Sequence, residues 1–134
     1  MNVLKINQLH FDAAHYLDES FGICHQLHGH SYYVRNIEIK CKKTVDFAKI
    51  EEVVKKFDHV LIIPKEHYQK WEKIATEVFY KEEIPCLLKF YVLEEDSSTV
   101  ENIAQALKKE IESIDGVISV SFELYEGENK GVKV

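Results

Sequence analysis

Leu4 and Ile6 alternate with polar neighbours along residues 3–10. Along SYYVRNIEIKC (31–41), Tyr33, Arg35, Ile37 and Ile39 alternate with Tyr32, Val34, Asn36 and Glu38. A period of two predicts β-strands in both stretches. The period then changes: Phe47, Ile50, Val54 and Phe57 recur at helical spacing, which predicts an amphipathic helix over 46–57. Pro64 suits a first helical turn. Behind it Tyr68, Trp71, Ile74, Ala75 and Val78 fall three or four apart or adjacent, predicting a second helix from 64 to about 80 that stops before Pro85. CLLKFYVL (86–93) is a short apolar run, expected as a strand buried on both faces. SSTVENIAQALKKEIESIDG (97–116) predicts a third helix, with Ser98 and Glu101 at capping-box spacing and Gly116 as its stop. In the last stretch, VISVSFELYEG, Ile118, Val120, Phe122 and Leu124 share one parity, as in a strand with one buried face. The order strand, strand, helix, helix, strand, helix, strand predicts an α+β fold: a four-stranded antiparallel sheet with helices packed on one face. Such a sheet leaves edges and an uncovered face, which invites oligomerisation.

Length and charge narrow the function classes. A chain of 134 residues is expected to form a single domain over 1–134, with a core that needs no disulfides. Its three cysteines, at 24, 41 and 86, make no disulfide framework. The first ten residues lack the pattern of a signal peptide, and no apolar run approaches the roughly 20 residues that span a bilayer. The expected setting is the reducing cytoplasm, with no membrane partner. The formal charge is −6, and Arg35 is the sole arginine. Nucleic-acid binding usually leaves a basic stripe, so no nucleic-acid partner is expected. A local cluster of Arg35, Lys40, Lys42 and Lys43 could still hold a small anion.

The chemistry concentrates in CHQLHGHSYY (24–33) and the FDAAHYL before it (11–17). Side chains alternate across a strand, so His28 and His30 point the same way. Two imidazoles at that spacing bind one metal ion if a third ligand arrives from elsewhere. A hairpin-like return would bring His15 alongside as that third. Three histidines without a fourth protein ligand leave a coordination position open, the pattern of a catalytic zinc. The plain alternative is a histidine pair that holds no metal. His25 has the wrong parity and reads as solvent-exposed, and His10 and His67 read as ordinary surface or core residues. Cys24 has three readings: fourth ligand of a closed structural zinc site, a thiol of lowered pKa able to abstract a proton, or a buried inert cysteine. The inert reading is preferred for Cys41 and Cys86.

Two carboxylates add to this. Asp58 precedes His59, and a carboxylate that fixes one imidazole tautomer is a standard device of acid–base sites, although Asp-His dipeptides are common. Glu126 shares the parity of Val120, Phe122 and Leu124, so a core-facing stripe ends in a carboxylate. A ligand with adjacent N–H donors, such as the amino-pyrimidinone edge of a pterin or guanine, would satisfy it. Emergence of the strand into solvent is the alternative.

FDAAHYL, CHQLHGHSY, VDFAKI, FDHVLI, STVENIA and LYEG occur in the order found in the 6-pyruvoyltetrahydropterin synthase and 6-carboxytetrahydropterin synthase family, which this sequence resembles over nearly its whole length. The resemblance implies the tunnelling fold, four antiparallel strands and helices per subunit assembled into barrel rings. Active sites would form between subunits of a homo-oligomer, a hexamer built as a dimer of trimers. It implies one zinc ion per subunit on His15, His28 and His30. It makes Cys24 the catalytic cysteine, Asp58 and His59 the pair completing its proton relay, and Thr99 and Glu126 the residues that hold the pterin. The implied reaction is a lyase reaction on 7,8-dihydroneopterin triphosphate. The favoured product is 6-carboxytetrahydropterin, with loss of acetaldehyde and triphosphate, on the route to deazapurine nucleosides such as queuosine. The pyruvoyl-forming synthase and a non-catalytic pterin- or purine-binding protein are the alternatives. The sequence departs from the family at Ile62-Ile63-Pro64, where Leu-Asn is usual after the Asp-His pair. It also departs in the 64–80 helix, which is longer than a short family connection.

Overall fold

In a computed structural model that describes residues 2–134, two long strands, β1 (Asn2–His15) and β2 (His28–Cys41), form an antiparallel pair. Their register runs from Asn2↔Cys41 to His15↔His28. A third long strand lies antiparallel on β2 and a short terminal one lies on that strand in turn. On the other side of β1 come β3 (Val60–Pro64), parallel to β1, and β4 (Phe90–Leu93), parallel to β3. With β5 (Val117–Glu126) and β6 (Lys130–Lys133), the sheet order is β4-β3-β1-β2-β5-β6.

The expected four-stranded antiparallel sheet is therefore a six-stranded mixed one. Leu61, Ile62 and Ile63 are buried on both sides, as parallel strands usually are, and a continuous apolar run carries no period to reveal it. Pro64 is the last residue of β3 rather than a first helical turn, and its extended backbone (φ −70°, ψ 147°) hands over to helix at Lys65. The stretch 86–93 is a strand only from Phe90. Its Leu87 is 65% exposed and Cys86 is exposed too, against the expectation of a run buried on both faces and an inert buried thiol. Cys41 is buried as expected.

A second correction concerns parity. In β2 the core-facing residues are Tyr32 and Val34, then Ile37, Ile39 and Cys41, so the buried face changes parity within the strand. Asn36 absorbs the change at φ +54°, where the pairing with β5 shifts between Arg35 and Glu38. A bulge residue in the left-handed region is the usual device, and asparagine tolerates it better than most side chains. β1 shifts at the same level, from half-buried Leu4 and Ile6 to Leu9, Phe11, Ala13 and His15. In β5, Val117 is buried and Ile118 is 47% exposed, so Ile118 does not belong to the Val120, Phe122, Leu124 stripe.

The first and third helices bury most of their predicted faces, but of the stripe predicted over 64–80 only Ala75 is buried, and Tyr68, Ile74 and Val78 are exposed. In α1 (Phe47–Lys55) the Asp46 side chain caps the Ala48 N–H, and Ile50, Val53 and Val54 are buried. α2 (Tyr68–Ile74) lies between a 3-10 turn over Lys65–His67 and a π turn over Ala75–Tyr80. α3 (Val100–Glu112) is capped by Thr99, whose hydroxyl accepts the Asn102 N–H at 3.3 Å, one residue later than the capping box predicted. Ile103, Ala104, Leu107 and Ile111 of α3 join Ile50 and Val54 of α1 over Tyr32, Val34, Phe122 and Leu124. On the opposite face of β1, β2 and β5 no described residue is buried. There the Arg35 guanidinium lies 5.0 Å from the Tyr33 ring centre and 4.6 Å from that of Tyr125. Among the described residues, no helix is long and apolar enough to cross a membrane.

Candidate metal centre

His15 ends β1 and His28 begins β2, so the antiparallel register sets them directly opposite each other, while His30 stands one step along on the same side of β2. All three imidazoles emerge on the helix-covered face, at the end of the core below Phe11 and Tyr32. The Nε2 atoms of His15 and His28 lie 3.0 Å apart, as do those of His28 and His30. His15 Nδ1–H donates to the Ser98 carbonyl at 2.7 Å and His28 Nδ1–H to the Gln26 carbonyl at 2.6 Å. Carbonyl oxygens only accept, so both rings carry their proton on Nδ1 and, when neutral, present a lone pair at Nε2. Facing lone pairs at 3.0 Å have no hydrogen bond to share. They suit a cation between them: tetrahedral zinc with ligands at about 2.0–2.1 Å would set the nitrogens about 3.3 Å apart. The three histidines form a group that could hold a metal ion, and Cys24 is not part of it.

Electrostatics favour the lone-pair form. Burial pushes the His15 pKa down to about 4, with the Ser98 carbonyl opposing the shift and the charges of His28 and His30 adding to it. His30 is lowered as well, by burial and then by His28. The Glu126 carboxylate approaches to 3.7 Å from His15 Nε2 and 4.0 Å from His30 Nε2. Burial raises its pKa, with His28 opposing and Glu101 adding to the rise. The stripe of β5 thus does end in a half-buried carboxylate, and it meets the histidines.

The remaining predicted residues divide. Cys24 lies half-buried in a 3-10 segment over Glu19–His25, a free thiol whose carbonyl accepts the Leu17 N–H at 2.9 Å. Thr99 caps α3 one residue beyond the Ser98 carbonyl that holds His15. Asp58 and His59 form the expected pair, Oδ2 to Nδ1 at 2.8 Å. Burial works against the Asp58 charge, but the Asp12 N–H and His59 hold its pKa below the usual carboxylate range. His59 adopts φ +58° and its side chain is 80% exposed. It opens onto a cavity of about 550 Å³ whose wall includes Asp12, Ala14, Gly29 and Ser31, which alternate away from His15 and His28, and also Ala13 and His30. Among the described residues no hydrogen bond or ion pair joins Asp58 or His59 to the three histidines. Within one chain, the fold gathers the three histidines with Glu126, and the Asp58–His59 pair makes no bond to that group among the described residues.

Sequence reasoning missed two contributors. Ser98, fully buried, supplies the carbonyl for His15, and its hydroxyl donates to the Tyr16 carbonyl at 2.9 Å. Read as a cap, it gave no sign of this, because a main-chain acceptor has no residue signature. Tyr32 is fully buried between the histidines and Phe11, and its hydroxyl has no protein partner. Burial and the Glu126 charge push its phenol up. The parity that links His28 to His30 extends to Tyr32 and could have found it. His25 is exposed, as expected.

The sequence profile of 6-pyruvoyl tetrahydropterin synthase matches residues 5–134. A 6-carboxy-5,6,7,8-tetrahydropterin synthase from Rickettsia conorii is 32% identical over 119 residues, covering 78% of this chain and 76% of that protein. A putative 6-carboxy-5,6,7,8-tetrahydropterin synthase from Pyrococcus horikoshii is 29% identical over 106 residues, covering 71% of this chain and 64% of its own. Among solved structures, a catalytic-residue mutant of Plasmodium vivax 6-pyruvoyltetrahydropterin synthase covers 100% of this chain and 98% of its own, with a TM-score of 0.60 at 16% identity. An uncharacterized protein from Wolinella succinogenes covers the same shares at a TM-score of 0.63 and 18% identity. At such identities these structures speak for the fold alone, and the profile match carries the assignment: the chain belongs to the 6-pyruvoyl tetrahydropterin synthase family.

Proposed function

We propose that the protein is a zinc-dependent lyase that converts 7,8-dihydroneopterin triphosphate and one water to 6-carboxytetrahydropterin, with release of acetaldehyde and triphosphate. The observation that carries the reading is the convergence of three Nε2 atoms, two of them with their lone pairs fixed by main-chain carbonyls, beside the Glu126 carboxylate. The names of the Rickettsia and Pyrococcus relatives favour the carboxy product over the pyruvoyl one. His15, His28 and His30 would hold the zinc. A bound zinc supplies Lewis acidity, which makes protons on the substrate side chain easier to remove.

The chain's own residues do the rest. Glu126 would take the paired N–H donors of the pterin ring, and Thr99, at the head of α3, would border that ring. Cys24 would act as general base in its thiolate form. His59, held in one tautomer by Asp58 at 2.8 Å, would give and take the proton on the other side. Since no hydrogen bond or ion pair joins Asp58 or His59 to the Nε2 cluster of their own chain among the described residues, a second subunit would supply them. A hexameric assembly over the uncovered face of the sheet fits that need.

Incubation with dihydroneopterin triphosphate and an assay for acetaldehyde tests the reaction, and release of triphosphate without acetaldehyde would refute the carboxy product. Cys24→Ala should keep zinc and pterin binding and lose turnover. Unchanged turnover in that variant would remove Cys24 from the mechanism.

A further inference from the structure

We propose that the helical segment after Pro64 sets the grip of the metal site by holding Tyr16, and through it His15, in place. The inference rests on reading His15 as a metal ligand.

Tyr16 directly follows His15, the last residue of β1, where the ladder ends and strand termini fray. It is held at both ends. At its backbone, the Ser98 hydroxyl donates to the Tyr16 carbonyl at 2.9 Å while the Ser98 carbonyl accepts His15 Nδ1–H at 2.7 Å. These two bonds clasp the ligand's ring and the next residue's main chain to one buried serine. At the tip of the ring, Trp71 Nε1–H donates to the Tyr16 hydroxyl at 2.8 Å, and that hydroxyl lies 2.8 Å from His67 Nδ1. An indole nitrogen only donates, which leaves the single phenol proton available to His67 Nδ1 in the tautomer that carries its proton on Nε2. The Tyr16 and His67 rings lie nearly parallel, 5.9 Å apart at 11°.

His67 and Trp71 both belong to the run that begins at Lys65, and Trp71 packs in turn near Phe90 of β4, with ring centres 6.4 Å apart. Little else of that run is buried: Ala75 is the one buried residue of its helical turns. The segment therefore spends its best-defined polar contacts on the residue next to a ligand. Tyr16 and Trp71 are positioning residues, and neither belongs to the group of nitrogens that could hold the metal.

Tyr16→Phe, Trp71→Phe and the double variant, made in the full chain, are to be compared by zinc competition against a chromophoric chelator and by the visible absorption of the cobalt-loaded protein. Each single variant should bind zinc about 5–10-fold more weakly, near the low end of the about 10–100-fold that loss of a direct outer partner costs. The double variant should lose little more than Tyr16→Phe alone, because both changes act on one hydroxyl. The cobalt bands should shift with the altered His15 geometry. His67→Gln, which keeps an acceptor, should retain most of the affinity that His67→Leu loses, and Tyr68→Phe on the same helix should change nothing. Wild-type zinc affinity and cobalt spectra in Tyr16→Phe and Trp71→Phe would overturn the proposal, even if their melting temperatures fell. Absence of zinc and cobalt binding by the wild-type protein would instead overturn the metal reading beneath it.

Discussion

Replacing His15 by glutamine removes a buried imidazole whose protonation the fold opposes. An amide N–H remains that can reach the Ser98 carbonyl. The histidine is 1% exposed, and its pKa falls from 6.5 to about 4 on folding. A group lowered in this way favours the native state while it is neutral. Its stabilisation is complete above about pH 6.5 and is lost as pH falls towards 4, because the unfolded chain then binds a proton that the folded one refuses. At 1.36 kcal/mol per pH unit the whole effect is about 3 kcal/mol, of which about 2 kcal/mol falls between pH 7 and pH 5. Urea denaturation of the metal-free protein at those two pH values measures it. The wild-type midpoint should drop by about 1 M more than that of His15→Gln, given a urea slope of about 1–3 kcal/mol per molar. Bound metal should steepen the wild-type dependence, since coordination also requires the neutral ring. Equal pH slopes in the metal-free wild-type and variant proteins would refute the placement of His15 as a buried, neutral imidazole.

Glu126→Gln should weaken pterin binding by about 10–100-fold, the worth of hydrogen bonds to a charged acceptor, in a fluorescence titration with neopterin. An unaltered affinity would place the pterin elsewhere. Asn36→Val should cost about 1–2 kcal/mol in chemical denaturation, because a β-branched residue must adopt φ +54°, whereas Asn36→Gly should be close to neutral apart from the lost 2.9 Å bond to Glu123. Phe57→Ala should cost about 3–5 kcal/mol by the same method, since Phe57 is fully buried against Phe11 and Tyr91.

The sequence by itself determined the elements that carry a period and the ligands that follow from it. Ile50 and Val54 on one helix, Ile103, Leu107 and Ile111 on another, and His28 with His30 on a strand are all fixed by local geometry: about 3.6 residues per turn, two per pleat. The return that sets His15 opposite His28 needed only one hairpin. What remained hidden depends on contacts between distant segments. Leu61, Ile62 and Ile63 have no period, so only the burial of both faces makes them a parallel strand beside β1. Asn36 and its neighbours show an unbroken alternation on paper, and the pairing with β5 inserts the bulge that turns Ile37 and Ile39 inward. The carbonyl of Ser98, which orients His15 from 83 residues away, has no side-chain signature at all. That no bond ties Asp58 or His59 to the three histidines among the described residues likewise depends on β3 pairing on the side of β1 away from β2. Periodicity is a property of neighbours in the chain, whereas a site is made of neighbours in space, and only tertiary structure chooses those.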